Sequence, residues 1–155
     1  MNAAIGAATR SVAPADLLGT WELVSVKRTA TETEETTDQF GPAPRGYLTY
    51  GHDGRMMVLF VDSRRPRPVG VAATDAERAD LHRSMCAYAG TYALDGQRIV
   101  HRIEVSWNEV WSDTEEVRNV GIDGEGRLVV WTDPKPSITD GSMGVAILTW
   151  RRPAG

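Results

Sequence analysis

Short runs of β-branched and aromatic residues, separated by Asp–Gly turns, set the rhythm of this chain. Gly51-His52-Asp53-Gly54, Asp95-Gly96 and Asp123-Gly124-Glu125-Gly126 punctuate it, and glycine supplies the positive φ of tight hairpins. Eight segments between such signals read as strands, at about 18–28, 46–51, 55–61, 89–94, 98–108, 114–122, 127–132 and 144–152. This spacing predicts an antiparallel sandwich or barrel. One stretch, 74–87, breaks the pattern. Thr74 and Glu77 stand at capping-box spacing, and Leu81, Met85 and Tyr88 recur at helical intervals, so one helix is predicted between the third and fourth strands. Residues 29–38, 62–70 and 134–144 are polar or rich in Arg, Pro and Gly and read as loops.

Alternation assigns faces. In the fifth strand Ile99, His101, Ile103, Val105 and Trp107 share one side and are expected to face inward. His101 is thereby carried in among aliphatics. The sixth strand takes polar groups inside whichever face is chosen: Glu116 and Arg118 with Val120 and Ile122, or Glu115 and Asn119 with Val117. A polar inner face suggests a cavity.

Composition narrows the classes. The 155 residues are 41% hydrophobic and 25% charged, as in an ordinary soluble domain. Seventeen Lys+Arg against 21 Asp+Glu give a net charge of −4, which disfavours nucleic acid as a partner. Cys86 is the only cysteine, so neither a disulfide framework nor a cysteine-cluster zinc site is expected. No run approaches a membrane span. Residues 1–15 are expected to form a disordered extension, 16–152 one domain, and the protein to be cytoplasmic.

Several segments resemble the lipocalin-like domain family of bacterial and fungal proteins, with its calycin-type barrels. The first strand opens with Gly19-Thr20-Trp21, the G-x-W start of such barrels. Residues 45–50, Asp53-Gly54-Arg55-Met56, 88–92, 100–107, Glu116-Val117-Arg118 and Leu148-Thr149-Trp150-Arg151-Arg152 follow in the family's order. The chain departs from it at 106–112, where a Pro and a Gly usually flank the tryptophan. The resemblance implies an all-β, eight-stranded up-and-down barrel, open at one end, with Trp21 stacked under Arg152 or Arg151 at its floor. Many members of the family sit near pathways for small natural products, and relatives by fold include carriers of apolar molecules and enzymes that cyclise or isomerise polyketide and fatty-acid derivatives. Fold supplies a container, and chemistry rests on the site.

The candidate catalytic residues are His101, whose ordinary pKa suits acid–base work, and Arg118, whose guanidinium can hold a carboxylate or enolate. Each has a plainer reading, a satisfied core histidine and an outward arginine paired with Glu116 or Glu104. Tyr47, Tyr50, Tyr88, Tyr92, Trp107 and Trp111 are candidate ligand-binding residues, or simply walls and core. Cys86 reads as buried and inert within the helix. His52, His82 and His101 never fall at metal-ligand spacing, and no phosphate-binding loop occurs, so no metal and no cofactor are expected. Residues 62–73 and the following helix form a candidate lid.

Three functions are compatible with this reading. The first is a barrel that binds a small apolar or aromatic molecule in natural-product metabolism. The second is a cofactor-independent cyclase, isomerase or dehydratase using His101 as acid or base. The third is a homo-oligomeric structural module with a filled lumen. A small organic molecule is the expected partner, nucleic acid and membrane are not, and a homodimer is compatible.

Overall fold

The computed structural model describes residues 2–155, the side chains from residue 4 onward. Eight long strands close into an antiparallel barrel: β2 (Gly19–Ala30), β4 (Arg45–Tyr50), β5 (Arg55–Val61), β6 (Met85–Asp95), β7 (Arg98–Ser106), β8 (Thr114–Asp123), β9 (Leu128–Trp131) and β11 (Met143–Arg151). Each pairs with the next in this series, and β11 pairs back onto β2 from Gly144–Ala30 to Arg151–Glu22. Closure leaves no free edge along the barrel wall. Two short strands extend it: β3 (Thr36–Asp38) pairs with β2, and β10 (Lys135–Pro136) with β11.

Because neighbours run antiparallel, the connections divide between the two ends. Tight turns at 51–54, 96–97 and 124–127 gather at one end, where Gly54, Gly96 and Gly126 take the positive φ that the sequence demanded. At the other end lie the long connections 31–44, 62–84, 107–113 and 132–142. The narrow end is plugged by α2 (Pro14–Leu17) and by Trp21, whose indole N–H donates to the Leu17 carbonyl at 2.9 Å. Arg152 stacks 3.7 Å from the Trp21 ring centroid and donates to the carbonyls of Asp16 and Thr20. The stack expected from the resemblance is thus present, with Arg152 and not Arg151 as its cation.

Three expectations need correction. Residues 1–15 are not all an unstructured extension: α1 (Asn2–Ala7) is helical, β1 (Thr9–Arg10) pairs with Asp123 and Ile122 of β8, and Val12 is buried. Thr9 fits because Gly121 carries no side chain, a Cβ there falling 2.3 Å from the Thr9 hydroxyl oxygen. The helix is shorter than 74–87. Thr74 and Glu77 form the capping box as expected, but α3 (Asp75–Arg83) stops at Ser84, and Met85 already pairs with Val61. Sheet pairing overrides the helical spacing of Met85 and Tyr88, so Cys86 sits in a strand.

The third correction concerns β7. Ile99, His101 and Ile103 face inward, but Val105 is exposed and Trp107 lies outside the lumen lining. The reason is a bulge: Gly90 opposes Ile103 while Ala89 opposes Val105, so Glu104 is an extra residue and the faces exchange beyond it. Trp131 is buried on the opposite face from Val130 and Leu128, apart from the barrel core.

Candidate functional site

The barrel encloses a cavity of about 80 Å³. Much of its wall is apolar, with Val58, Phe60, Val130 and Leu148 contributing. Phe40, Trp111 and residues 135–138 border it from the end of the long connections. Neither α3 nor residues 62–73 line it, so the proposed lid does not cover this cavity. Arg65, in that loop, instead binds the Leu81 carbonyl and the Ser84 hydroxyl.

His101 occupies the centre of a three-residue chain. Its Nε2 lies 2.8 Å from the Tyr50 hydroxyl and its Nδ1 2.8 Å from the Tyr88 hydroxyl. Tyr50 arrives from the inner face of β4, Tyr88 from β6 and His101 from β7, all buried. Burial, reinforced by the positive charge of Arg118, pushes the His101 pKa down to about 3. Burial likewise raises the pKa values of both phenols, so the chain is neutral around pH 7. Three hydrogens belong to it: two phenolic and one imidazole. Two are used in the two hydrogen bonds, whichever tautomer holds. One phenolic O–H, on Tyr50 or Tyr88, is therefore left over, and both residues line the cavity.

Arg118 projects from β8 into the same space. The inner face of β8 is that of Glu116, Arg118, Val120 and Ile122, which answers the question that alternation left open. Arg118 Nη1 donates to Glu116 Oε2 at 2.6 Å, and Lys135 Nζ reaches the same oxygen at 2.5 Å. The partner foreseen in the plainer reading is correct, but the pair points inward. Burial pushes the Glu116 pKa up, yet Arg118 and Lys135 together bring it below its ordinary value, so the carboxylate is charged. Although Glu116 is the cross-strand neighbour of His101, its carboxylate serves the two cations and no histidine–carboxylate couple forms. The Nε and Nη2 groups of Arg118 find no acceptor among the described residues.

Of the remaining candidates, Trp111 belongs to the site. It lines the cavity, lies 5.8 Å from the Tyr88 ring and carries Lys135 Nζ at 5.4 Å from its own centroid. Tyr47 does not: it is 55% exposed on the outer face of β4, because Leu48 and Tyr50 take the inner one. Tyr92 and Trp107 act from behind. Tyr92 packs edge-on against Tyr50 at 4.7 Å and donates to the Gly51 carbonyl. Trp107 packs edge-on against Trp111 at 5.5 Å and donates to the His82 carbonyl, tying α3 to the barrel rim. Cys86 lines the cavity, and burial raises its thiol pKa to about 12, leaving it a neutral wall.

Sequence reasoning missed Lys135, Arg28 and Trp150. Lys135 lay in a loop between two prolines, with nothing in the pattern to turn it inward. Arg28 follows an irregularity in β2, where Leu23 opposes Trp150 but Ser25 opposes Thr149, so the inner positions shift from Trp21 and Leu23 to Val26 and Arg28. Trp150 was visible as part of the closing strand, at an inner position. Its indole N–H is buried and has no hydrogen-bond partner among the described residues.

A closed β-barrel around a mixed apolar and polar cavity defines the class of small-molecule-binding barrels. The chain belongs to the lipocalin-like domain family, whose family model matches residues 18–153. No curated protein matches it. Among the described residues, no helix is long and apolar enough to cross a membrane.

Proposed function

We propose that the protein binds a small, largely apolar organic molecule in its lumen, in the setting of natural-product metabolism. The observation that carries this reading is the cavity itself: an apolar chamber holding a leftover phenolic O–H and free Arg118 N–H groups. A few polar groups in an apolar concavity are how small-ligand sites orient their occupants. At about 80 Å³ the chamber suits a compact molecule or one compact end of a longer one. A fully filled lumen does not fit this volume.

Native mass spectrometry of protein purified gently from its producing cells tests the proposal. The expected result is an adduct of defined mass, absent after denaturation and identifiable as a released organic molecule. Protein that stays empty at high concentrations of small organic probes overturns it.

The Tyr50–His101–Tyr88 chain favours a second reading, a cofactor-independent isomerase. A phenol can give its proton to the occupant and be refilled from His101, while His101 takes the proton of the other phenol. That phenol then removes a proton from a second position on the occupant. Protons balance, His101 changes only its tautomer, and no buried imidazolium is needed. Arg118 would stabilise a developing oxyanion. Incorporation of deuterium from D₂O into the released molecule, lost in His101→Phe, is the expected signature. Its absence in the wild-type protein leaves the carrier reading alone.

A further inference from the structure

The charge around the cavity says more about the occupant than its shape does. Arg28, Arg118 and Lys135 all line the chamber, and among the described residues no Asp or Glu side chain does. Glu116 sits beside the wall and occupies one Nη of Arg118 together with Lys135 Nζ. Arg28, also buried, donates from Nη2 to the main-chain carbonyls of Lys135 and Ser142, and Asp140 is the carboxylate that acts on its charge. With Glu116 beside Arg118 and Lys135, and Asp140 acting on Arg28 from outside the chamber, three positive charges meet two negative ones at this end of the barrel, and only the cations line the cavity.

The hydrogen-bond inventory has the same sign. Among the described residues Arg118 keeps Nε and Nη2 without acceptors, and one of the two phenols keeps its O–H. A chamber with surplus positive charge and surplus donors is complementary to an anion with several acceptor oxygens.

Resting on the small-molecule reading above, we propose that the occupant is an organic acid whose carboxylate is held by Arg118 and Lys135. Its apolar body lies against Val58, Phe60, Leu148 and the Trp111 ring. The planar guanidinium offers Nε and Nη2 side by side, the geometry of a two-point carboxylate contact. Lys135 adds a point charge from the long-connection end, and Glu116 holds both cations in place before the ligand arrives. The residue that sequence analysis marked for catalysis is on this view the anchor for the acid head.

Matched acid and alcohol probes separate this proposal from a purely apolar container. Benzoate against benzyl alcohol, and octanoate against 1-octanol, are titrated by calorimetry and by the fluorescence of Trp111 and Trp150. At least one acid is expected to bind tenfold or more tightly than its alcohol. Lys135→Met and Arg118→Gln are expected to weaken that acid by tenfold or more, and by at least fivefold more than they weaken the alcohol. Arg118→Lys, which keeps the charge but loses the fork, should recover part of the loss. Circular dichroism of each variant confirms that it remains folded, and Lys135→Met, altering the less buried cation, carries the test if Arg118→Gln does not fold. Acids and alcohols bound equally, or acid affinity unchanged in Lys135→Met and Arg118→Lys, overturns the acid head but leaves the container standing. Failure of every probe to bind overturns both.

Discussion

His101 shows how a single side chain can be central to a site and still be unable to act in its usual manner. Both ring nitrogens are taken by phenols, and burial together with Arg118 keeps the imidazole neutral far below its ordinary pKa. That depression makes folding sensitive to acid. Between pH 6.5 and about 3 the unfolded chain binds a proton at this histidine that the folded chain does not. Stability is therefore fully present above pH 6.5 and falls as the pH drops, with a slope approaching about 1.4 kcal/mol per pH unit. Glu116, also lowered in the fold, adds its own loss only below its ordinary value of 4.5. Chemical denaturation between pH 6.5 and 5 thus isolates His101. In His101→Phe that slope should shrink by about one proton. The variant should also be less stable at pH 7, since two buried hydroxyls lose their partner at about 1–3 kcal/mol each. A slope unchanged by the substitution would mean that the imidazole is protonated in the fold.

At the scale of strands, the barrel depends on a few places where regular alternation is broken or held. Gly90 is one. A Cβ there would stand 1.8 Å from the Arg102 carbonyl oxygen, a main-chain atom that cannot swing aside, so the bulge at Glu104 requires glycine opposite. Gly90→Ala is expected to cost about 1–3 kcal/mol as an overpacking change. Trp21 is another, buried between α2 and Arg152 at the floor. Trp21→Ala should cost about 3–5 kcal/mol. Urea unfolding midpoints check both, and a Gly90→Ala protein as stable as the wild type would place the bulge elsewhere. These same positions explain what the sequence could and could not reveal. Asp–Gly turns, β-branched runs and the G-x-W opening are local signals, and they located all eight barrel strands. Period-two alternation also placed His101, Ile99 and Ile103 inside, and the same rule applied to β4 separates Tyr47 from Tyr50. Bulges leave no mark in a period-two pattern, which is why Val105 and Trp107 were put on the wrong face and Arg28 went unnoticed. Lys135 joins the site only through a loop folding back over the barrel end. No local preference encodes such a contact.

The whole molecule is built asymmetrically, and the asymmetry tells where a ligand would be felt. The end with tight turns is closed by Leu17, Trp21 and Arg152, each tied to main-chain or ring partners. The opposite end is capped by long connections, and from these come Phe40, Trp111, Lys135 and Ile138 to border the cavity. Lys135 reaches across to Glu116 on β8, and Arg28 reaches from β2 to the carbonyls of Lys135 and Ser142. Occupation of the cavity by an acid would therefore tighten residues 107–113 and 132–142, because the cation it engages is anchored in that loop. An occupant at a hundredfold excess over its dissociation constant stabilises the fold by about 2.7 kcal/mol, which in a domain of this size corresponds to a rise of roughly 5–10 °C in the unfolding midpoint. Hydrogen exchange distinguishes this local effect from the global one. Amides in 107–113 and 132–142 should slow at low denaturant, where local opening dominates, while those of the 51–54 and 124–127 turns should not change. Slowing confined to the tight-turn end would mean that ligands enter and are held at the floor, and that the Arg118–Lys135 pair is only a clasp between β8 and its neighbouring loop.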